Sequence, residues 1–518
     1  MALIRWIRYD KHWEHVSYNE HATGIVDYDI RIFYNYFLRI TSITDTIIYE
    51  FHKQYICHII LHQTMSESNK SVGFTGRLGF ILAMAGSAVG LGNLWRFPYL
   101  AAEYGGGAFI LIYVILAITF GFSMMIAEVC IGRKTGKSCF EAFGSINEKW
   151  KWVGWLAALV PAIIVPYYCV IGGWVTKYFV EYATGNAAGV TDAFFTGFIT
   201  CDLPGVFDSP VLWFLVFVAL VAAVVVAGVD KGIERVSKIL MPILFILLII
   251  ITIFSLTMDG AVEGLKYYLI PHIEDVSAKT LLAAVGQLFY SMSLAMGITI
   301  TYGAYMKKDV AVEKSVRNVS MIDTGVALLA GLMIVPAVVA IGGSVNSGPG
   351  LMFVTLPHVF DAMPAGEFVA AAFFLLVIFA ALTSAISLME ALVYVLMEKA
   401  KMNRYVASAI VVVGIVALGM LSCLGFGPLS NITFIDGQTF LDFFDFISNS
   451  IMMPIVAIVT CVFIGFVVGT KFITDEVESS GPFKAKKLFV IMIKWVCPIG
   501  LFLILLTGLL SVFGVMTL

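Results

Sequence analysis

Two short stretches of this sequence combine residue types that weaken a helix inside otherwise apolar runs. Ala85-Gly86-Ser87-Ala88-Val89-Gly90-Leu91-Gly92-Asn93 places three glycines, a serine and an asparagine in nine residues. Ser291-Met292-Ser293-Leu294-Ala295-Met296-Gly297 is the second such stretch. Residues of this kind disfavour the helix interior. An unwound stretch frees carbonyls to ligate a cation and amides to hold an anion, and half-helix N-termini add positive dipole. Such backbone survives in a membrane only where protein or a hydrated cavity covers it. Ionisable residues in the same apolar surroundings are Glu128, Asp323 and Glu390, with Arg96 just beyond Asn93. A charge at the centre of a span costs at least ~2.5 kcal/mol on insertion scales, so each needs a partner. Other chemistries lack their materials. The 8 cysteines form no CxxC and sit mostly in apolar runs, where a free Cys behaves as a small hydrophobe. Beyond residue 64 the only histidines are His272 and His358, and there is no HExxH or GxSxG. An intramembrane enzyme is thereby excluded.

These residues need elements to position them. Of 518 residues, 60% are hydrophobic and 13% charged, against roughly a quarter charged in soluble domains; mean hydropathy is +0.94. Too little polar surface exists to cover a soluble globule, which leaves an all-α polytopic membrane protein. Apolar segments predict about eleven spans, near 76–102, 107–131, 153–183, 210–228, 236–257, 281–306, 315–343, 366–398, 403–424, 440–469 and 486–513. The interruptions fall in the first and sixth spans, five apart. That is where two five-span repeats would each begin, about 76–257 and 281–469, with an extra helix at about 486–513. Paired interruptions in corresponding spans point to a transporter site at the bilayer midplane. The competing reading is close helix packing through small residues.

Lysine and arginine set the orientation. The loops after even-numbered spans carry five, three, four, three and four of them, from Arg133 to Lys487; the opposite loops carry Lys177, Lys266 and Lys279. The even-to-odd loops are therefore expected in the cytoplasm, with the N-terminus inside and Leu518 outside. Residues 1–64 follow another rule of composition, holding six of the 8 histidines and no run long enough to span a bilayer. The change of character at Met65 fits a native start there, with 1–64 an over-extended reading frame; a cytoplasmic tail is the alternative. The transporter domain is then 65–518.

The run Gly86-Ser87-Ala88-Val89-Gly90-Leu91-Gly92-Asn93-Leu94-Trp95-Arg96-Phe97-Pro98-Tyr99 resembles the first-span signature of the neurotransmitter:sodium symporters. Gly105-Gly106-Gly107-Ala108-Phe109, Glu128 with Gly132-Arg133, Lys231-Gly232-Ile233-Glu234-Arg235, Gly286-Gln287 and Leu382-Thr383-Ser384 resemble the same family, in the same order. The eleven-span form is similar to its bacterial amino-acid members. The resemblance implies a sodium-coupled symporter that imports an amino acid across the plasma (bacterial inner) membrane by alternating access. Proton coupling or chloride dependence on the same fold, or a non-transporting sensor, are the alternatives. Nucleic acid is not an expected partner, and no oligomer signal is present.

The resemblance also implies site residues. One sodium would take carbonyls of Gly86, Val89 and Ala380 with hydroxyls of Thr383 and Ser384. A second would take the Ala88 carbonyl, the Asn93 amide, Ser291 and Asp323, where relatives often carry Asn. Chloride-dependent members place a Ser one turn beyond this position; Ala327 stands there, while Tyr113, Gln287 and Ser291 match the other chloride positions. Asp323 is therefore expected to supply the negative charge, with no chloride requirement. A helix-end position exposed to a loop is the alternative for Asp323.

Biogenic-amine members carry an Asp at the position of Gly90, so no anion awaits an amine ligand here. A zwitterionic amino acid meets that condition, its carboxylate joining the sodium near Ala88, Gly92 and Asn93 and reaching Tyr168. Its ammonium would meet carbonyls near Ser87, Tyr290 and Ser291. Selectivity would rest on Leu91, Ile164, Tyr168, Tyr290, Ser293, Ala295, Met296, Ser384 and Leu388, a mostly apolar set. That set excludes acidic and basic substrates and favours bulky apolar or aromatic ones. By the same resemblance Arg96 is expected to pair through water with Asp445 and so close the outer path, with Asp442 as rival. Glu398 is the inner acidic gate residue, and its cation is expected from Lys70 or Arg77. Glu128 is expected to brace the unwound segments. Gly232 and Pro242 bracket nine residues of the fifth span that unwind in some relatives; a simple Pro kink is the alternative.

Overall fold

The computed structural model describes residues 73–343 and 350–512, all within one unit, Val72–Leu518. Continuous apolar sequence makes continuous helix: α3 (Gly107–Thr135), α4 (Glu148–Ala183), α6 (Val229–Leu256), α9 (Val312–Ala340), α10 (Gly366–Lys399), α11 (Arg404–Leu424), α12 (Phe440–Val467) and α13 (Lys486–Gly508) are each long and apolar enough to cross a membrane. Ahead of them, α1 (Arg77–Ala88) and α2 (Gly92–Glu103) form one span bent by 53°. Among the described residues the count by length and composition is therefore eight, or nine with the bent pair, so the number eleven is not itself confirmed. The two expected spans that fall short are instructive. Segment 210–228 is α5 (Pro210–Val226), an apolar helix of only 17 residues. Segment 281–306 is divided into α7 (Ala278–Ser291) and α8 (Ile298–Ala304).

Both breaks have local causes. After Ala88 the backbone of Val89 turns extended, at φ −72° and ψ 103°. In the sixth span Ser293, Ala295 and Gly297 all take positive φ, at 52°, 60° and 72°. Only glycine visits that region without steric cost. The two non-glycine residues there therefore hold strain that surrounding contacts must offset.

The elements sort by burial. In their most apolar windows α4 and α10 are 78% and 72% buried, whereas α13 is 22% buried. The first two pack most extensively on each other and form the centre; α13 lies at the periphery, largely against α12. α8 lies along α3 and α1 along α9 and α10. The interruptions thus sit among the most buried helices, as unwound backbone in a membrane requires.

Candidate functional site

The two unwound segments meet each other. The Ser293 hydroxyl donates to the Ser87 carbonyl at 2.9 Å, and the Ser384 hydroxyl of α10 donates to the same carbonyl at 3.0 Å. Ser384 Oγ also lies 3.4 Å from the Val89 carbonyl. Gln287 Nε2 on α7 donates to the Gly92 carbonyl at 2.8 Å. The Leu91 N–H donates to the Tyr168 hydroxyl at 3.4 Å. Carbonyls freed by the break are thus taken by side chains of the sixth and eighth expected spans, and a freed amide by the third. On the far side Glu128 meets the sixth-span break. Its carboxylate, 1% exposed, accepts the Ala295 N–H at 2.9 Å and the Thr299 hydroxyl.

A buried polar cluster lies beside the break. Asn93 Nδ2 donates to Asp323 Oδ1 at 2.8 Å, to the Asp323 carbonyl at 3.2 Å and to Ser291 Oγ at 2.9 Å. Ser291 Oγ in turn lies 2.9 and 3.0 Å from the two Asp323 carboxylate oxygens. Asp323 is wholly buried inside α9. The exposed helix-end reading is overturned, because α9 runs on well past it. The Tyr113 hydroxyl is buried beside Ser291 and Asp323. Ala327, also buried, offers no hydroxyl. The cluster is oxygen-rich, the donor type a hard cation takes. The orientation of the Asn93 amide adds one detail that the expected ligand set did not specify. The Asn93 amide turns its nitrogen toward Asp323, and its oxygen accepts the Gly90 N–H at 3.0 Å. To serve as a cation ligand Asn93 would present Oδ1, which needs a turn of the amide. The other expected set is also assembled: Thr383 lies against Gly86 with its hydroxyl 3.1 Å from the Ala380 carbonyl, and Ser384 reaches Val89.

A cavity opens between the two breaks. Its walls are Ser87, Ala88, Gly90, Leu91, Gly92, Ile164, Tyr168, Tyr290, Ser293, Met296, Ile298, Ser384 and Leu388. Of the expected substrate residues, Ser291 and Ala295 do not line it: Ser291 faces Asp323, and the Ala295 backbone is held by Glu128. Ile298, the first residue of α8, lines it and was missed; so does Gly90, expected only as a vacant acid position. A Cβ at residue 90 would stand 2.7 Å from Ser384 Oγ and 2.9 Å from the Tyr168 hydroxyl. The closeness of these two side-chain hydroxyls, more than charge, accounts for the glycine there.

The expected gate residues have the following surroundings. Arg96 lies over the Tyr290 ring, 5.4 Å from its centroid, and in the field of Asp445. No direct ion pair joins Arg96 and Asp445 among the described residues. Asp445 accepts from Tyr167 at 3.1 Å and from Asn449 at 2.5 Å. The rival Asp442 is an exposed cap bonded to Thr439 and is set aside. Glu398 pairs with Lys137 at 3.1 Å and accepts the Ser138 N–H at 2.7 Å. Arg77 reaches the Lys314 carbonyl instead, and Lys70 lies outside the described residues. The Lys137 contact is local in space but distant in sequence, which is why it escaped notice. Gly232 lies in a π-helical turn, Val229–Glu234, where the Val224 carbonyl fills the place of a Cβ. Pro242 lies within the helix that follows, and the residues between them are wound.

Two buried acids gain partners that sequence reasoning left open. Glu390 takes Arg404 through both oxygens, at 2.7 and 2.8 Å, and accepts from Tyr305 at 2.7 Å. The signal was present: a buried acid near the end of one span faces a cation in the first turn of the next. Glu234 binds Lys238 at 2.6 Å and the Thr75 amide at 2.7 Å. The segment at Thr75 is thereby tied to the start of α6, and its carbonyl accepts from Lys307 at 2.7 Å.

Comparison with known proteins bears on this geometry. The family described as "Sodium:neurotransmitter symporter family" matches residues 72–190 and 204–516. An uncharacterised sodium-dependent transporter of Bacillus subtilis is 35% identical over 457 residues, covering 86% of this chain and all of that one. The sodium- and chloride-dependent GABA transporter 2 of Rattus norvegicus is 25% identical over 63% of this chain and 62% of its own length. The crystal structure of MhsT in complex with L-phenylalanine superposes with TM-score 0.77 at 38% identity, covering 84% of this chain and 99% of that one.

Proposed function

Because the chain belongs to the sodium:neurotransmitter symporter family, we propose that it is a sodium-coupled symporter importing a neutral apolar or aromatic amino acid by alternating access. One observation carries this reading. Among the described residues the walls of the cavity between the two breaks hold no Asp, Glu, Lys or Arg, yet unwound backbone and an Asp323–Asn93–Ser291 cluster adjoin it. A charged substrate side chain would be desolvated there without a partner. A zwitterion's two charged ends would meet freed amides and carbonyls, and its side chain would meet Ile164, Tyr290, Met296 and Leu388. The phenylalanine bound to MhsT supports an aromatic or bulky apolar choice.

Two sodium ions enter as co-substrates. One would be held by Gly86, Val89, Ala380, Thr383 and Ser384, the other by Ala88, Asn93, Ser291 and Asp323. The second set supports coupling, because Ala88 belongs both to it and to the cavity wall, so each ligand strengthens the other's binding. Sodium moving down its gradient, with ~2.3 kcal/mol per charge per 100 mV, drives accumulation. Asp323 supplies the anion that chloride provides elsewhere, so uptake needs no chloride. The Lys- and Arg-rich loops face the cytoplasm, with the N-terminus inside and the C-terminus outside a bacterial inner membrane.

The test is uptake into proteoliposomes with a sodium gradient and a competition panel of neutral amino acids. Accumulation against a gradient is expected with sodium, in gluconate as well as chloride, with phenylalanine, tryptophan, tyrosine or leucine competing best. Uptake driven by a proton gradient without sodium would refute the coupling. A large loss in gluconate would refute the role given to Asp323. Binding without accumulation would point to a sensor.

A further inference from the structure

A second cavity, of about 260 Å³, lies on the Lys- and Arg-rich side, away from the substrate site. It is bounded by the first turns of α9 and by the connection from the helix Lys471–Glu478 to α13. Two hydrogen bonds stitch these walls together. The Val312 N–H donates to Ser480 Oγ at 3.3 Å, and the Lys484 N–H donates to Glu313 Oε2 at 2.8 Å. The walls of the cavity are therefore built, and are not a chance gap beside a loose connection.

Charge in this cavity is unbalanced. Lys314, Arg317 and Lys484 line it, all exposed, and no described acid pairs with their side chains. Glu313 is the one described acid in the lining, and the glutamates of the neighbouring helix are already engaged. Glu313, buried in the wall, accepts the Lys484 amide; Glu476 is held by Arg133 and Lys308; Glu478 is held by Lys486. Three cations against one engaged carboxylate leave a net positive cavity, and it opens at the N-terminal end of a long helix, whose dipole adds to the same field.

The cavity also lies at a recognisable depth. One helical turn beyond Arg317, on the same face, Met321 is 66% exposed. Beyond Lys484, Lys486 and Lys487, the exposed residues of α13 become Ile491 and Trp495. Charged side chains thus give way, on both walls, to exposed apolar surface of the kind that faces acyl chains. Cations at the foot of apolar helix faces are placed to meet phosphate at headgroup level.

We propose that this cavity is a binding site for a phosphate-bearing anion, held by Lys314, Arg317 and Lys484. A phosphodiester headgroup of an anionic phospholipid and a free phosphate share that chemistry, and the experiment separates them. Delipidated full-length protein would be titrated in neutral detergent with inorganic phosphate, and separately placed in nanodiscs of phosphatidylcholine with or without 30% phosphatidylglycerol. Retained lipid would be counted by native mass spectrometry. The variant is Lys314→Gln with Arg317→Gln and Lys484→Gln. The control is Lys149→Gln, Lys401→Gln and Lys471→Gln, equal in charge but outside the cavity. Correct folding of both is checked by sodium-dependent uptake in phosphatidylcholine alone, which involves none of these residues.

Each cation near an anionic surface is worth about fivefold, so the cavity variant is expected to bind roughly a hundredfold more weakly. Retention of phosphatidylglycerol without phosphate binding assigns the site to lipid; binding of both assigns it to phosphate as such. Absence of both, or an equal loss in the control, overturns the proposal.

Discussion

Asp323→Asn isolates the charge in the Asp323 cluster from its shape. Asp323 is wholly buried and receives Asn93 Nδ2 at 2.8 Å and the Ser291 hydroxyl at 2.9 and 3.0 Å. The amide keeps one acceptor for Asn93 and turns the other into a donor toward Ser291, whose hydroxyl can rotate to accept. The fold should therefore lose only ~1 kcal/mol, the net worth of one rearranged hydrogen bond. The loss to sodium is larger. Two unit charges about 4 Å apart interact by about 4 kcal/mol at an effective dielectric constant of 20. Part of this is offset by the carboxylate's own desolvation, leaving roughly 2–3 kcal/mol, or about 30- to 150-fold in sodium affinity. The assay is sodium-dependent thermal stabilisation of purified protein in chloride-free buffer. Wild type should gain about 2.7 kcal/mol of stability at a sodium concentration 100 times its Kd, whereas the variant should gain little at that concentration. Sodium affinity within threefold of wild type, in a variant that melts normally, would refute the ligand role of Asp323.

Other outcomes follow from the same geometry. Gly90→Ala drives a Cβ to 2.7 Å from Ser384 Oγ and 2.9 Å from the Tyr168 hydroxyl. It should raise the substrate KM roughly tenfold or more while costing ~1–3 kcal/mol of stability, read by uptake kinetics beside a melting curve. Glu128→Gln cannot accept at both oxygens, so the Ala295 amide and Thr299 hydroxyl compete for one acceptor. Uptake should fall at least about tenfold, and hydrogen exchange at residues 292–298 should quicken; unchanged exchange would remove the bracing role. Arg404→Lys loses the two-pronged contact with Glu390 and should destabilise by ~1–3 kcal/mol despite keeping its charge. An unshifted melting temperature would show that pair to be unimportant.

Legibility divides along the physical range of the signals. The break after Ala88 and that between Ser291 and Gly297 were readable, because glycine and serine act on their own backbone. Asp323 was identified because a charge in an apolar run must have a partner, though the partner's atom was not readable. Sequence cannot say which end of the Asn93 amide faces it. The eleven-segment pattern marked where apolar helices lie, but not that α5 is 17 residues long or that the sixth span is too divided to count by length. The inner gate was the weakest reading. Glu398 was placed correctly as an acid at the end of a helix, but Lys137 reaches it across 261 positions of chain.

By itself the amino-acid sequence determined the membrane class, the two breaks and the neutrality of the cavity's residue types, since each depends on composition or on local backbone preference. Only the tertiary structure decided which freed carbonyl meets which hydroxyl, that Ile298 and not Ser291 lines the cavity, and that Glu390 belongs to Arg404. Those pairings depend on distances of about 3 Å between residues far apart in the chain. They are set by how whole helices pack, a property no local stretch encodes.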